Sequence, residues 1–436
     1  MKKRNNLSIA KLYNFAKTQL FPLNRSLTGE GVRKTLNYIK LFFPKLSIKF
    51  FKSNIKVYDW KVPSEWNAKR AYVKDFKGKK IIDFKNNNLH LIGYSSPIKK
   101  KLRRDELLKR LHFLKNQPNA IPYITSYYKK NWGFCCSYHQ FQEIKKKYKK
   151  NQVFDVLIES SFKKHGRMNY ADYLIKGKTK KEILVSTYIC HPSMANNELS
   201  GPIVSMALIN YFINRKKPNY SIRFLFIPET IGSIAYINKN LKSLKRNVIG
   251  GYNLSCIGDE KNYSCMLSKK GNHPADQSLL SAFKKLKINK YKIYSFLKRG
   301  SDERQFNSPG VDIPMASIFR SKYGEYKEYH TSLDNFNLVT RKGLDGGYKV
   351  AREAIKNLDK KIMPKSRFLC EPQLGKRNLY NNLSVKGSSF SSIRYLDFLQ
   401  YSDGNFSLQQ ISKIINLNYN KTKKIYKVLL KKRLVL

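Results

Sequence analysis

The sequence predicts an α/β protein in which a mixed, mostly parallel sheet lies between helices, with an inserted small β-rich domain and a C-terminal winged-helix-like domain. Long apolar strands alternate with helical segments after residue 151, short strands fill residues 56–150, and two helices joined by a polar turn follow. A chain of 436 residues is long enough for two or three domains. We expect the α/β domain at 1–55 and 151–365, the inserted domain at 56–150 and the winged helix at 366–436.

The first predicted elements are helices within residues 8–43, where Leu, Ile and Phe recur at three- and four-residue spacing. The segment FPLNRSLTGEG interrupts them, because Pro22 and two glycines favour a loop. Arg25, Ser26 and Thr28 of this loop are candidates to line a pocket. A plain connection between helices is the simpler interpretation.

Residues 56–150 have the pattern of antiparallel strands, with short runs such as AYVKDF, KIIDF and LHLIGY bounded by Gly, Pro and Asn. Trp60, Trp66 and Trp132 suit either stacking on a sugar or filling a small β core, and core packing is the more common use of such residues. This part of the chain is therefore interpreted as a separate, inserted module.

The α/β domain resumes with DVLIESSF and ADYLIKG, which we interpret as antiparallel edge strands, and with EILVSTYIC as the first long buried strand. Pro202, at the start of GPIVSMALINYFINRK, is typical of the first turn of a helix. SIRFLFIP, VIGGYNLSCIG and VDIPMASIF supply three more strands.

The end of the chain contains SLQQISKII, the turn NLNY and a basic helix, a pattern that resembles a helix-turn-helix or winged-helix module. Its last basic residues are candidate phosphate contacts: Lys421, Lys423, Lys424, Lys427, Lys431, Lys432 and Arg433. The same helix carries apolar residues for its own packing, and winged helices also contact proteins. Nucleic acid is therefore one of two candidate partners of this module.

The charge of the chain does not decide between partners. Lys and Arg number 86 against 29 Asp and Glu, a net charge of +57 that points to nucleic acid, a membrane surface or an anionic polymer. The lysines are spread through every segment with many Asn, Ile, Tyr and Phe, which favours a compositional origin in an AT-rich coding sequence. The runs at 99–104 and 145–150 are accordingly interpreted as solvated faces.

The cellular location is predicted from what the sequence does not contain. Its six cysteines form no CxxC pair, no run reaches the ~18 apolar residues of a membrane span, and lysines interrupt the apolar core that a signal peptide would need. We expect a cytoplasmic protein without a membrane partner, and leave open that it is a homo-oligomer.

Two strands end on residues that suit a hydrolytic metal site. His191 follows EILVSTYIC and Glu229 follows SIRFLFIP, so both should lie at the carboxyl edge of one parallel sheet, where α/β proteins bind ligands. Imidazoles and carboxylates hold zinc with an open position for water, whose proton a further carboxylate can accept. His191 and His330 are candidate ligands and Glu229 the candidate base. The alternative is that each histidine is only hydrogen-bonded in a core or loop.

The motifs TYICHPSMANNELSG, IPETIGSIAY, GSDERQF and YGEYKEYHTSLDN resemble those of the zinc aminopeptidase superfamily, which also contains glutaminyl cyclases. With LFPLNRSLTGEGVR, AIPYITSYY and EPQLGKRNLY, the chain more closely resembles bacterial aminopeptidase-like proteins found near polysaccharide-biosynthesis genes. That resemblance covers essentially the whole chain. It implies a zinc-aminopeptidase-like fold with an inserted domain and a winged helix, and hydrolysis of a peptide or small amide bond in a polysaccharide or sugar-modification pathway.

Residue by residue, the resemblance matches His191 and His330 to metal ligands and Glu229 to the general base. The carboxylate that bridges two metals should stand at Asn197, the ligand after the base at Thr230, and a third at Ser255 or Cys256. Ser193 replaces a supporting aspartate. Neutral groups in these places do not balance two zinc ions.

At most one zinc ion is therefore expected, with Glu198, next to Asn197, as the first candidate for the substitute ligand. Further candidate ligands are Asp259, Glu260, Asp302 and Glu303. Asp302, Glu303 and Arg304 in GSDERQF are candidates to bind a substrate terminus, with an ordinary ion network as the alternative. The leading hypothesis is a single-zinc, aminopeptidase-like hydrolase. Its rivals are a catalytically silent descendant that binds a ligand or partner in the same cleft, and a nucleic-acid-binding protein.

Overall fold

The computed structural model describes residues 7–380 and 390–436. The strands of this part of the chain are β1 (Ser47–Lys52), β2 (Lys56–Val57), β3 (Trp60–Lys61), β4 (Glu65–Lys74), β5 (Lys80–Asp83), β6 (Ile98–Arg103), β7 (Leu111–His112), β8 (Phe134–Cys135), β9 (Val153–Lys163), β10 (Arg167–Ile175), β11 (Glu182–Tyr188), β12 (Ser221–Ile227), β13 (Val248–Leu254), β14 (Ser264–Met266), β15 (Lys292–Tyr294) and β16 (Met315–Phe319).

The α-helices are α1 (Ile9–Phe15), α2 (Glu30–Phe42), α3 (Arg104–Leu108), α4 (Tyr138–Lys147), α5 (Ser200–Ile213), α6 (Ile231–Asn247), α7 (Pro274–Lys285), α8 (Glu303–Phe306), α9 (Arg341–Asp359), α10 (Phe390–Gln400), α11 (Leu408–Ile414) and α12 (Tyr419–Lys431). A π-helical turn follows α1 at Ala16–Leu20, and another precedes α5 at Ala195–Leu199.

An eight-stranded sheet forms the centre of the α/β domain, in the order β1-β10-β12-β11-β13-β16-β14-β15. Strands β12, β11, β13 and β16 are parallel neighbours, and antiparallel pairs link β10 to β12 and β14 to β16. Residues 183–188 of β11 are all buried, which explains the continuous apolar run of that segment. The predicted mixed, mostly parallel sheet is confirmed.

Helices cover both faces of this sheet. Successive side chains of a strand point to opposite sides, so each face has its own apolar core. Ile183 and Val185 of β11 belong to a core shared with α1, α2, α5, α7 and α9. Leu184, between them in sequence, belongs to a second core shared with α6 and the inserted domain. Nearly every side chain of the central strands is therefore buried, and the polar residues that follow the strand ends are brought to one edge.

The inserted domain contains an antiparallel sheet in the order β5-β4-β9-β6. The segment DVLIESSF lies in β9 and pairs with β4 and β6, so its interpretation as an edge strand of the large sheet is wrong. Phe154, Val156 and Ile158 are buried while their neighbours are more exposed, as in a strand that is covered on one face only. The inserted sheet therefore continues to residue 163, beyond the expected boundary at 150.

ADYLIKG also differs from its interpretation as an edge strand. It lies in β10, which pairs with β1 on one side and β12 on the other. The edge on this side of the sheet is β1, Ser47–Lys52, a short segment in which Lys49 and Lys52 flank Phe50 and Phe51 and which the sequence did not single out. Charged residues on an edge strand discourage pairing with another chain.

The C-terminal domain has the predicted helix-turn-helix, formed by α11 and α12. Isolated antiparallel bridges join Ser366 to Val435 and Lys365 to Asp403, so the segment after α9 pairs with residues that follow α10 and α12. Phe398, from α10, belongs to the separate core of this domain. Across the described ranges 7–380 and 390–436, the structure has no helix that combines the length and apolar character required to cross a membrane.

Candidate functional site

His191 and Glu229 lie together at the carboxyl edge of the large sheet. Each follows one of two adjacent parallel strands, β11 and β12, so the topology fixes their proximity. His191 Nε2 is 3.7 Å from Glu229 Oε2, and the Glu229 side chain is 21% exposed. Ser301 Oγ donates a hydrogen bond of 2.6 Å to Glu229 Oε1. One carboxylate oxygen is thereby held, and the other faces the imidazole.

Burial raises the pKa of Glu229, although the positive charge of His191 and the hydrogen bond from Ser301 oppose this shift. A carboxylate with a raised pKa is a stronger base than an exposed one. It is also a better partner for an ammonium group, because water competes less for it.

His330 reaches the same place from the loop after β16. Its ring centroid is 5.4 Å from that of His191, and it stacks on Tyr329 at 3.8 Å. Burial lowers the pKa of His330 to about 3, with a further contribution from the His191 charge, so the ring is neutral at neutral pH. Among the described residues, neither nitrogen of this ring has a hydrogen-bond partner. The structure thus brings all three of His191, Glu229 and His330 into one cleft.

Glu198, the expected substitute ligand, lies on the other side of His191 in a buried ion pair. Its Oε2 is 2.9 Å from His191 Nδ1, and its Oε1 is 3.5 Å from Arg25 Nε. Neither partner of the Arg25–Glu198 pair has any exposed side-chain surface. Arg25 also donates to the carbonyl oxygens of His191, at 2.9 Å, and Leu20. The loop FPLNRSLTGEG therefore underlies the site through Arg25.

This arrangement makes Glu198 a positioning residue for His191. The carboxylate accepts the Nδ1 proton and leaves Nε2 directed toward Glu229. Burial alone would lower the pKa of His191, but Cys190 and Glu198 raise it well above its usual range. Burial raises the pKa of Cys190 to about 11, so the thiol is neutral and Glu198 supplies the charge. Ser193, where a supporting aspartate was expected, instead donates to the Phe21 carbonyl.

The positions at which carboxylates are missing are occupied by neutral groups with partners of their own. Asn197 Oδ1 accepts a hydrogen bond of 2.7 Å from Tyr188 OH, and Cys256 Sγ approaches it at 3.7 Å. Thr230 Oγ1 accepts a hydrogen bond of 2.8 Å from Arg304. Burial raises the pKa of Cys256 well above its ordinary value, so this thiol also stays neutral.

These donors do not fit a two-zinc centre, because no carboxylate stands at the bridging position. Within the described residues, one group of three or more His, Cys, Asp and Glu side chains has its ligand atoms within 4.8 Å of one another, namely Cys190, His191 and Glu198. His330 is outside this group. A protonated thiol and a carboxylate paired with Arg25 are poor zinc ligands, and the buried charges already balance each other.

The three candidates of GSDERQF have different environments. Asp302 is buried and accepts hydrogen bonds of 2.8 Å from Thr230 N and Ser233 Oγ at the start of α6. Burial raises the pKa of Asp302 to about 8, helped by the nearby Glu229 charge. Glu303 is also buried and accepts hydrogen bonds from Gly300 N, Ser301 N and Tyr323 OH. Both carboxylates stabilise the loop that holds Ser301, and the partly exposed Arg304 is the one of the three with surface available to a ligand.

Tyr123, which sequence reasoning missed, enters the site from the inserted domain. Its ring centroid is 5.3 Å from that of His191 and 5.2 Å from that of His330. Tyr123 N donates to the His330 carbonyl at 2.9 Å, and Pro122 forms a β-bridge with Thr331. The motif AIPYITSYY was the available signal, but nothing in it indicated a contact with a segment two hundred residues away.

Asp334, in the motif YHTSLDN, was also missed. Its carboxylate accepts hydrogen bonds from the backbone N–H groups of Asn196, at 2.5 Å, and Asn197, at 2.9 Å, and from Tyr326 OH at 2.8 Å. Asp334 thereby ties the segment of His330 to the π-helical turn that carries Asn197 and Glu198. The sequence signal for this contact was the carboxylate of Asp334 itself, in the same short motif as His330.

Comparison with known proteins gives this architecture a family. Residues 13–361 match the model of a domain of unknown function, DUF4910, and residues 362–436 match that of a winged helix-turn-helix. A Clostridium acetobutylicum protein, provisionally named a polysaccharide biosynthesis protein with an aminopeptidase-like domain, is 40% identical over 422 residues. The match covers 95% of this chain and 93% of that protein.

Solved structures show the same fold. The crystal structure of a Clostridium acetobutylicum protein, provisionally described as a peptidase, has a TM-score of 0.78 at 38% identity and covers 98% of this chain and 96% of its own. BSAP, a zinc aminopeptidase from Bacillus subtilis, has a TM-score of 0.57 at 13% identity, covering 80% and 94%. A peptidase M28 precursor from Shewanella amazonensis has a TM-score of 0.55 at 11% identity, covering 81% and 96%. Because one family model spans most of the chain, the protein belongs to the DUF4910 family, with an aminopeptidase-like α/β domain followed by a winged helix-turn-helix.

Proposed function

We propose that this protein uses its aminopeptidase-like cleft to bind a small peptide-like or amide ligand that carries a free amine, without zinc chemistry. The observation that supports this most directly is the buried Arg25–Glu198 pair. Glu198 is the carboxylate next to the expected bridging position, and a guanidinium already neutralises it. A divalent cation placed there would face a positive charge in an environment of low dielectric constant, where like charges repel strongly.

The choice of an amine rests on Glu229. Asp302 and Glu198 have no exposed surface, whereas the Glu229 side chain is 21% exposed and its Oε2 lies 3.7 Å from His191 Nε2, beyond hydrogen-bond distance. A buried carboxylate with an open face binds an ammonium group through charge-assisted hydrogen bonds, which are about twice as strong as neutral ones. The neutral His330 ring, on the other side of the cleft, has an acceptor and a donor available for the amide group of the ligand.

Free-amine peptides are therefore expected to bind to protein from which metals have been removed by a chelator. Alanyl-alanine should give saturation-transfer NMR signals, and N-acetyl-alanyl-alanine should not. Glu229→Gln should weaken binding roughly 10-fold to 100-fold, which corresponds to a lost hydrogen bond between charged groups. Because burial raises the pKa of Glu229, binding should decline with falling pH before an ordinary glutamate becomes protonated.

The matched control is Glu260→Gln, since Glu260 is exposed and bonded to Thr340 and Lys342 away from the cleft. Equal binding of the acetylated and free peptides, or equal affinity in Glu229→Gln, contradicts the proposal.

A one-zinc hydrolase is the rival, and the 3.7 Å approach of His191 to Glu229 is the observation in its favour. Elemental analysis of protein purified without chelators separates the two. Absence of stoichiometric zinc supports the binding protein, whereas about one zinc ion per chain together with zinc-dependent peptide cleavage overturns it. The variant Asn197→Asp is the positive control, because it restores a carboxylate at the bridging position and leaves the buried Arg25–Glu198 pair in place.

The winged helix favours a second function, contact with nucleic acid through α12. The basic residues of α12 and of the two positions after it are exposed, and none of them forms an ion pair with another described residue: Lys421, Lys423, Lys424, Lys427, Lys431, Lys432 and Arg433. The helix itself contains no Asp or Glu. Thr422 and Leu429 occupy the buried face instead. The basic face of the helix is thus available for phosphates.

The logarithm of the binding constant for duplex DNA, measured by fluorescence anisotropy, should fall linearly with the logarithm of the salt concentration. Lys424→Gln/Lys427→Gln should reduce that slope by about 2, because each phosphate contact contributes roughly 0.9. Lys99→Gln/Lys100→Gln, on the exposed strand β6, makes the same charge change elsewhere and should have little effect. Undetectable or salt-independent binding would instead favour a protein partner for this domain.

A further inference from the structure

Arg304 lies beside Glu229 at the candidate site. Its Nη2 donates a hydrogen bond of 2.8 Å to the side chain of Thr230, the residue that follows Glu229. Burial raises the pKa of Glu229, and the positive charge of Arg304 is among the effects that oppose this rise. Burial also raises the pKa of Tyr329, and Arg304 again opposes the rise. The guanidinium is therefore close to two residues of the cleft.

The turn at Thr230 holds Arg304 in one place. Thr230 has a φ of 61°, which is an outlier for a β-branched residue. Asp302 accepts a hydrogen bond from Thr230 N, and Arg304 donates to Thr230 Oγ1, each at 2.8 Å. Strained backbone persists only where surrounding contacts hold it, and such positions cluster at functional sites. Because the guanidinium is already fixed, less side-chain freedom is lost when a ligand binds to it.

Part of this guanidinium is still available to a ligand. Nε is buried without a partner. Nη1 has no hydrogen-bond partner among the described residues either, but it is not buried. Nor does Arg304 form an ion pair with any residue in the ranges 7–380 and 390–436. A partly buried guanidinium without a counter-charge gains more from an anion than an exposed one, because water competes less.

The charges already present decide which anion fits. Glu229 places a negative charge near the guanidinium, so a phosphate group, with a charge of about −1.5 to −2, would be repelled more than a carboxylate. A carboxylate carries one charge, and its planar shape matches the parallel N–H groups of a guanidinium. With an ammonium group on Glu229 and a carboxylate on Arg304, all four charges are paired.

We propose that Arg304 binds a free carboxylate of the same ligand whose amine pairs with Glu229. The ligand is then a short zwitterion of the size of a dipeptide, and not the N-terminus of a long chain. This inference rests on the proposed function, because Glu229 defines the amine position. Arg304 Nη1 donates to the carboxylate, while Glu229 Oε2 accepts from the ammonium group.

The test uses the full chain after chelator treatment and four probes, titrated with saturation-transfer NMR as the readout: alanyl-alanine, alanyl-alaninamide, N-acetyl-alanyl-alanine and phosphoethanolamine. Alanyl-alanine should bind roughly 10-fold to 100-fold more tightly than its amide, the effect of a hydrogen bond between charged groups. Arg304→Gln should abolish this preference by weakening the free acid alone. Arg304→Lys should keep part of it, because lysine retains the charge but not the planar pair of donors.

The matched control is Arg299→Gln, which makes the same charge change in the same loop. Arg299 is exposed and donates to the Phe296 carbonyl at 3.4 Å. The preference for the free acid should be unchanged in this variant.

The outcomes separate this inference from the proposed function. Equal affinity for alanyl-alanine and its amide, with both lost in Glu229→Gln, overturns the role of Arg304 and leaves the proposed function standing. Binding of N-acetyl-alanyl-alanine through Arg304, with no effect of Glu229→Gln, supports the carboxylate position and overturns the amine position. Absence of binding by all probes overturns both.

Two further results also overturn the inference. If Arg304→Gln weakens the acid and the amide equally, Arg304 acts only by supporting the turn at Thr230. If phosphoethanolamine binds more tightly than alanyl-alanine, the anion that fits Arg304 is a phosphate group.

Discussion

Glu198→Ala is expected to lower the free energy of unfolding by about 3–5 kcal/mol, the usual loss when one partner of a buried ion pair is removed. The substitution leaves Arg25 charged, unpaired and without exposed surface. Burial already lowers the pKa of Arg25 even with Glu198 present. The substitution of Glu198 also removes the acceptor for His191 Nδ1. Urea unfolding at neutral pH measures the change.

The comparison with Arg25→Met/Glu198→Met shows whether charge is the cause. Apolar replacement of a whole buried pair is often neutral, so the double variant should recover the part of the loss that is due to the unpaired charge. His191 Nδ1 loses its partner in both variants, and the carbonyl groups of Leu20 and His191 lose theirs in the double variant alone, so part of the loss remains. Asp345→Ala is the surface reference, because it breaks the exposed pair with Lys349 and should cost at most about 1 kcal/mol. A Glu198→Ala loss as small as that of Asp345→Ala would mean that the Arg25–Glu198 pair does not carry the buried charge balance on which the metal-free function rests.

The sequence was sufficient for the parallel core of the fold because its strands are long and apolar. β11 and β12 are recognisable from EILVSTYIC and SIRFLFIP, and parallel order then places His191 beside Glu229 without further information. β9 was assigned to the wrong sheet, because the same residues can pair in either sheet. The alternation of buried Phe154, Val156 and Ile158 with more exposed residues is what distinguishes a strand covered on one face from a strand of the central sheet.

The parts of the site that were missed depend on contacts between distant segments. Arg25 was a candidate to line a pocket, but its loop predicts a turn, and no local pattern indicates that its guanidinium pairs with Glu198. Tyr123 depends on how the inserted domain docks against the loop of His330. Such contacts are set by tertiary packing, which hydrophobic periodicity does not encode.

Glu198 shows how a correct observation led to an incomplete interpretation. The sequence shows the carboxylate one position away from where a bridging ligand is expected, and the natural inference is that a loop turns it inward toward a metal. In the structure it does turn inward, but toward Arg25 and the far nitrogen of His191. His191 and Glu229 thus lie together at the sheet edge, while the cation beside the Glu198 carboxylate is a side chain of the protein.

Asp334→Ala is expected to destabilise the protein by about 3–6 kcal/mol and to loosen the turn that carries Asn197 and Glu198. Three buried donors lose their acceptor, namely the N–H groups of Asn196 and Asn197 and the hydroxyl group of Tyr326. An unpaired buried donor costs about 1–3 kcal/mol. Ala195 N–H keeps a partner, because it also donates to the main-chain carbonyl of Asp334. Urea unfolding measures the total.

Hydrogen exchange tests whether this loss is local. The amides of Asn196 and Asn197 should exchange faster in Asp334→Ala, while those of β11 and β12 should keep their protection relative to global unfolding. Equal acceleration throughout the α/β domain would contradict a specific link between Asp334 and the turn. Glu229 is unchanged in Asp334→Ala. A loosened turn together with a loss of affinity for free-amine peptides would therefore show that Glu198 shapes the cleft by holding His191 in position.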